Sequence, residues 1–262
     1  MNTAYTLIIR HCHNQLVARG WPEDMDIETN LSYCQGDGVA FYGRLDTLTL
    51  IGMLPELICR GHLTEQAGAS LNRLLTGSDF TMMLYRNRFS HQYAHAGTIS
   101  LEYEDYPDGM TEAQIHLLLK AIRNEISDVC GCVAADGYRL LDAINPSYCP
   151  TLFLRHTRNF TIRVLEAEPL DPGWDNWDSG VLDSCLEAIL SQNATLRTLE
   201  ISVYYGENDR VLGRTWALDV MRLPEQPVRR WFDREWLRDA VTEARREIAD
   251  TLTALDSFRP AA

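Results

Sequence analysis

A β-hairpin is predicted by the stretch Ser32-Tyr-Cys-Gln-Gly-Asp-Gly-Val-Ala-Phe-Tyr-Gly43. Residues 27–34 alternate loosely between apolar and polar side chains and read as a strand, and residues 39–43 read as the returning strand. Between them lies Gln35-Gly-Asp-Gly38, where two glycines allow the positive φ angles of a tight turn. The turn lacks the G-x-G-x-x-G spacing and no helix begins there, so it does not predict a phosphate-binding loop.

Helical and strand patterns continue on both sides of this hairpin. Apolar residues recur at helical spacing or alternate at strand spacing. They predict helices over residues 4–19, 47–60, 64–76, from Thr111 onward, 133–144, 178–192 and 233–255, and strands over 80–85, 96–104, 160–168, 196–205 and 211–220. This order predicts an α+β fold with a mixed or largely antiparallel sheet and packed helices. We expect a single domain over residues 1–262, with a subdomain boundary near 146–150.

Charge and cysteine usage limit the function classes. The net charge of the chain is -13, which disfavours direct contact with nucleic acid. The chain has 7 cysteines and no C-x-x-C motif, so we expect free, mostly buried thiols in a reducing compartment. The sequence shows no signal peptide and no apolar run near the ~20 residues of a membrane span. We therefore expect a cytoplasmic protein that does not contact a membrane.

Two acidic segments have two readings each. They are either solvated loops and helix N-termini, or an anionic face for a basic partner. The first segment carries Glu102, Glu104, Asp105 and Asp108. The second carries Asp171, Trp174, Asp175, Trp177 and Asp178. Its two tryptophans either cover the core or form an interface hot spot, since tryptophan is enriched at such sites.

Catalytic candidates are few. Asp37 at the hairpin tip is a residue chosen for turn conformation, a metal ligand or general base, or a partner contact. His91 and His95 would point to the same face of a strand, and both could reach one site with Asp37. No glutamate follows His91 to make a zinc-binding H-E-x-x-H motif, and no G-x-S-x-G elbow occurs. We expect no bound metal and no cofactor.

The hairpin resembles a pattern carried by many uncharacterised proteins of bacteriophages, prophages and plasmids. In these proteins a strand ending in Ser-Gln-Gly-Asp-Gly leads into a strand of the form Ala-x-Phe-x-Gly, and Cys34 here replaces that serine. Residues 86–95 and 213–244 look similar more loosely. The resemblance implies an accessory protein of mobile elements, serving host takeover or defence evasion. It marks five motif positions without chemical roles: Gly36, Asp37, Gly38, Phe41 and Gly43.

Three function classes follow. The first is a mobile-element accessory protein that acts by protein–protein interaction, such as a counter-defence inhibitor presenting an acidic surface to a basic host protein or nucleoprotein complex. The second is a metal-assisted hydrolase using Asp37, His91 and His95. The third is a structural component that forms a homo-oligomer through the tryptophan segment.

Overall fold

A computed structural model describes residues 3–34, 36–86, 99–103, 105, 107–170, 177–206, 210–227, 230–231 and 233–256. Its contacts divide the chain into two compact units. The N-terminal unit comprises Tyr5–Tyr138, and the C-terminal unit comprises Arg139–Ala262 with Met1–Ala4. The expectation of a single domain with a boundary near 146–150 stays a prediction.

The N-terminal unit combines four helices with a four-stranded sheet. Its elements are α1 (Thr3–Ala18), β1 (Asp26–Asn30), β2 (Gly38–Asp46), α2 (Thr47–Cys59), α3 (Glu65–Leu75), β3 (Thr81–Arg86), β4 (Ile99–Tyr103) and α4 (Glu112–Ile144). Helix α1 begins before the first residue of the unit, and helix α4 continues past its last residue. The strands lie in the order β1-β2-β3-β4, and each pairs antiparallel with its neighbour. One side of β3 is buried through Met82 and Leu84, whereas Met83 between them is exposed. The sheet therefore has a core face and an outer face, as the alternation of a strand requires.

The predicted hairpin is present, but its first strand is shorter than expected. β1 ends at Asn30, which pairs with Gly38 at the start of β2. The predicted strand ran to residue 34. In the structure the backbone leaves the strand conformation, with φ angles of 59° at Tyr33 and 89° at Gly36. The connection is thus a loop of several residues rather than a four-residue turn.

Helix α4 corrects a second expectation. A break before residue 133 was expected, but the helix is continuous from Glu112 to Ile144, a length of 33 residues. A helical glycine costs only about 1 kcal/mol relative to alanine. Burial of Val129 and Val133 on either side of Gly131 outweighs that cost. The predicted end of the helix before Asn145-Pro146 is confirmed.

The C-terminal unit contains a second antiparallel sheet. Its elements are β5 (Thr151–His156), β6 (Phe160–Ala167), α5 (Ser179–Gln192), β7 (Thr195–Tyr205), β8 (Val211–Arg222) and α6 (Arg234–Asp256), with strand order β5-β6-β7-β8. Strand β5 was not predicted. It is an edge strand with mostly exposed side chains, so it lacks the hydrophobic alternation that marks a strand in sequence.

Helix α6 packs closely against this second sheet. Ala240 and Ala244 of the helix share a buried cluster with apolar residues of β6, β7 and β8. A Cβ atom at Gly213 of β8 would lie 2.3 Å from the carbonyl oxygen of Ala240. The absence of a side chain at Gly213 therefore lets the helix backbone approach the strand.

The α+β class and the antiparallel sheets are confirmed. All the cysteines are described, and their thiols are free. The expectation that most are buried is wrong, because three are exposed and one is intermediate: Cys34, Cys59, Cys149 and Cys132. Cys34 and Cys149 lie in loops, Cys59 lies at the end of α2, and Cys132 lies within α4 at a position that is only partly buried. No helix among the described residues is long and apolar enough to cross a membrane.

Candidate functional site

The carboxylate of Asp37 organises the hairpin loop. Its Oδ2 atom accepts hydrogen bonds from the backbone N–H of Ser32 (2.6 Å) and Cys34 (2.9 Å). The hydroxyl of Tyr138 on α4 donates to the same oxygen at 3.0 Å, and the Ser32 hydroxyl donates to Oδ1 at 3.0 Å. Asp37 therefore ties the loop to itself and to the long helix.

These contacts also shift the pKa values of Asp37 and Tyr138. Partial burial raises the pKa of Asp37, but the hydrogen bonds from Cys34, Ser32 and Tyr138 together outweigh burial and hold that pKa below its ordinary value. Burial, and then the hydrogen bond and negative charge of Asp37, raise the pKa of Tyr138. A carboxylate with a lowered pKa and four donors is a weak base at neutral pH. The arrangement stabilises the loop.

The remaining motif positions have local structural roles. Gly36 has a φ angle of 89°, which other residues rarely adopt. Phe41 is fully buried and packs edge-on against Trp21, with ring centroids 4.9 Å apart. A Cβ atom at Gly43 would lie 2.6 Å from the sulfur of Met25. Gly38 is buried at the start of β2. Loop conformation and packing account for this motif in the chain.

Several predicted site residues lie outside the described residues. These are His91, His95, Glu104, Asp171, Trp174 and Asp175. The proposed convergence of the two histidines with Asp37 therefore stays a prediction. In the second acidic segment, Trp177 is half-buried and Asp178 caps α5, accepting a hydrogen bond from the Gly180 N–H at 2.7 Å.

The first acidic segment borders an open cleft, named here the acidic cleft. Its volume is about 780 Å³. It lies on the outer face of the N-terminal sheet, next to the loop that connects α3 to β3. The lining residues are Arg44, Asp79, Thr81, Met83, Tyr85, Glu102, Tyr103 and Asp105. Two predicted interaction residues, Glu102 and Asp105, are thus brought together with Asp79, which sequence reasoning did not select.

Antiparallel pairing explains how this surface is built. Met83 of β3 lies opposite both Arg44 of β2 and Glu102 of β4. Directly opposite residues project from the same face of a sheet, so the three form a cross-strand row. Met83 is 42% exposed. The cleft therefore combines carboxylates, tyrosine rings and one exposed thioether.

A neighbouring cleft of about 450 Å³ shares two carboxylates with the first. Asp79 and Asp105 line both clefts, and Asp108 and Arg73 line the second. Together the two clefts are lined by four carboxylates and two guanidinium groups. Three predicted interaction residues, Glu102, Asp105 and Asp108, therefore border one continuous acidic surface.

A second cluster was missed by sequence reasoning. His62 follows α2, and Glu125 and Asp128 lie on α4. The Nε2 atom of His62 is 3.1 Å from Glu125 Oε2 and 3.2 Å from Asp128 Oδ2. The signal available in sequence was the i, i+3 spacing of the two acids, which places them on one helix face. Nothing in sequence connected them to His62.

Comparison with known proteins identifies the family. Residues 1–140 match the N-terminal domain of YubG, and residues 150–258 match its C-terminal domain. The chain therefore belongs to the YubG family, with one family domain for each half of the chain. No solved structure matches this chain.

Proposed function

We propose that this protein acts by protein–protein interaction and holds a basic segment of a partner protein in the acidic cleft. The observation that carries the proposal is the cleft itself, where Asp79, Glu102 and Asp105 border the exposed Met83 side chain and two half-buried tyrosine rings. Carboxylates bind guanidinium groups in pairs of charge-assisted hydrogen bonds, and arginine also stacks on tyrosine rings. The arrangement fits an arginine-rich segment.

The charge of the chain supports the same class of partner. A net charge of -13 repels phosphates, so a nucleic acid is disfavoured as the direct ligand. A basic surface that otherwise binds nucleic acid has the complementary chemistry. In its finer form, the proposal is a mobile-element accessory protein that inhibits such a host complex.

The cytoplasm is the proposed compartment. Seven free thiols, three of them exposed, suit a reducing environment.

A matched pair of variants tests the proposal. We expect the full-length protein to bind a fluorescent octa-arginine peptide, measured by anisotropy, and to bind it more weakly as salt is added. The double variant Glu102→Gln/Asp105→Asn removes two cleft carboxylates. At about 1 kcal/mol for each exposed charge, we expect a loss of roughly 30-fold in affinity.

The control double variant, Glu225→Gln/Asp250→Asn, changes net charge by the same amount at exposed sites in the C-terminal unit. It should bind the peptide within about twofold of the unaltered protein, since neither residue lines the acidic cleft. Equal weakening by both double variants would mean that overall charge, and not the cleft, attracts the peptide.

A further inference from the structure

Three metal-ligating side chains, none of which lines the acidic cleft, converge in the N-terminal unit. They are His62, directly after α2, and Glu125 and Asp128, one turn apart on α4. Their nearest ligand atoms all lie within 4.8 Å of one another. A nitrogen and two carboxylate oxygens form a donor set that borderline divalent metals accept.

The hydrogen bonding of this cluster is incomplete. The Glu125 side chain is only 1% exposed, yet its Oε2 atom has no hydrogen-bond partner among the described residues. The same holds for Nε2 of His62, although two carboxylate oxygens are close to it. A buried carboxylate oxygen without a partner is costly. The Nε2 atom is thus near both oxygens but aligned with neither.

The other oxygen of Glu125 is held separately. Arg19 Nη1 lies 3.1 Å from Glu125 Oε1, and Arg60 Nε lies 3.7 Å from it. Arg60 also pairs with Glu56 at 2.7 Å. The arginines therefore fix the orientation of the Glu125 carboxylate and direct Oε2 toward His62. Partners of this kind commonly orient metal ligands.

We propose that His62 Nε2, Glu125 Oε2 and Asp128 Oδ2 bind a divalent first-row metal ion of the Zn²⁺ class. Tetrahedral zinc with ligand distances near 2.0–2.1 Å separates neighbouring ligand atoms by about 3.3 Å. The distances of 3.1 and 3.2 Å from His62 Nε2 to the two carboxylate oxygens lie within a few tenths of an ångström of that spacing, and all three ligand atoms lie within 4.8 Å of one another. Asp128 is 57% exposed, so solvent reaches the cluster and can supply a fourth ligand.

The competing account is an ion network without metal. In that account the His62 ring contacts the two carboxylates directly, with no ion between them. The two accounts differ in what Asp128 does, because only the metal account makes it a ligand.

Calorimetric titration of the metal-stripped full-length protein with Zn²⁺ tests the site. We expect one ion to bind per chain, and Asp128→Asn to weaken binding by at least about tenfold, since even substitutions behind the ligands cost 10–100-fold. The substitution is at an exposed position, and an unchanged far-UV circular dichroism spectrum checks folding. The control His116→Ala removes an exposed histidine on the same helix and should leave binding unchanged.

Substitution with Co²⁺ gives an independent readout. A nitrogen–oxygen site of low coordination number gives visible d–d absorption in the unaltered protein and in His116→Ala, and we expect it to be lost in His62→Gln. Absence of Zn²⁺ binding would overturn the proposal in favour of the ion network. Binding that Asp128→Asn leaves unchanged would also overturn it, by assigning the ion elsewhere.

Discussion

The hydrogen bonds of Asp37 give a quantitative prediction about the hairpin loop. Asp37→Ala removes the acceptor of four hydrogen bonds, two of them from the backbone N–H groups of Ser32 and Cys34. Each such bond contributes about 0.5–1.5 kcal/mol net. Ser32 and Cys34 are exposed, so water replaces part of the loss, and we expect the free energy of loop opening to fall by about 2 kcal/mol.

Amide hydrogen exchange measures this opening locally. The amides of Ser32 and Cys34 should exchange roughly 30-fold faster in Asp37→Ala than in the unaltered protein. Tyr138→Phe removes only one of the four bonds and should give a smaller increase. Asp24→Ala changes an exposed acid before β1 and serves as the control with unchanged rates. Unchanged exchange in Asp37→Ala would refute the role of this carboxylate in holding the loop.

The stabilisation of the loop by Asp37 also depends on pH, in a direction that follows from its pKa. Because the folded-state pKa of Asp37 is lowered, its stabilisation is fully present above the unfolded value of about 3.9. It is lost as pH falls below that value through the folded pKa. The difference in loop-opening free energy between Asp37→Asn and the unaltered protein should therefore be constant near neutral pH and shrink below about pH 4.

Two further predictions concern packing and thiol reactivity. Gly213→Ala should lower the free energy of unfolding by about 2 kcal/mol, because its Cβ would meet the backbone of α6; the matched Gly131→Ala, in open space on α4, should raise it by up to about 1 kcal/mol. Urea denaturation compares the two, and equal effects would contradict the close approach of α6. Iodoacetamide at about pH 8 should alkylate the exposed thiols first, as followed by peptide mass spectrometry. Burial raises the pKa of both Cys12 and Cys130 to about 12, so rapid labelling of these two thiols would contradict their burial.

Local periodicity was sufficient for most of the fold. The helical spacing of apolar residues after Thr111 predicted a helix, and the structure buries Ile115, Leu118 and Ile122 of that helix. Alternation predicted β3 in the same way. These patterns are visible in sequence because one face of each element meets the core.

Features that depend on a distant partner could not be predicted in the same way. Strand β5 exists through its pairing with β6, and its own side chains carry little pattern. The sequence marks Asp37 as a motif position, but its partner Tyr138 lies toward the far end of helix α4. The cluster of His62 with Glu125 likewise joins residues that no sequence spacing relates.

Backbone chemical-shift mapping of the full-length protein tests the central claim about the acidic cleft most directly. On titration with the octa-arginine peptide, the largest ¹⁵N–¹H shifts should fall on Thr81, Met83, Tyr85, Glu102 and Tyr103, which line the cleft. The same titration of Glu102→Gln/Asp105→Asn should give smaller shifts at these amides. Shifts spread evenly over acidic surfaces, or concentrated in the C-terminal unit, would contradict the assignment of this cleft as the binding site.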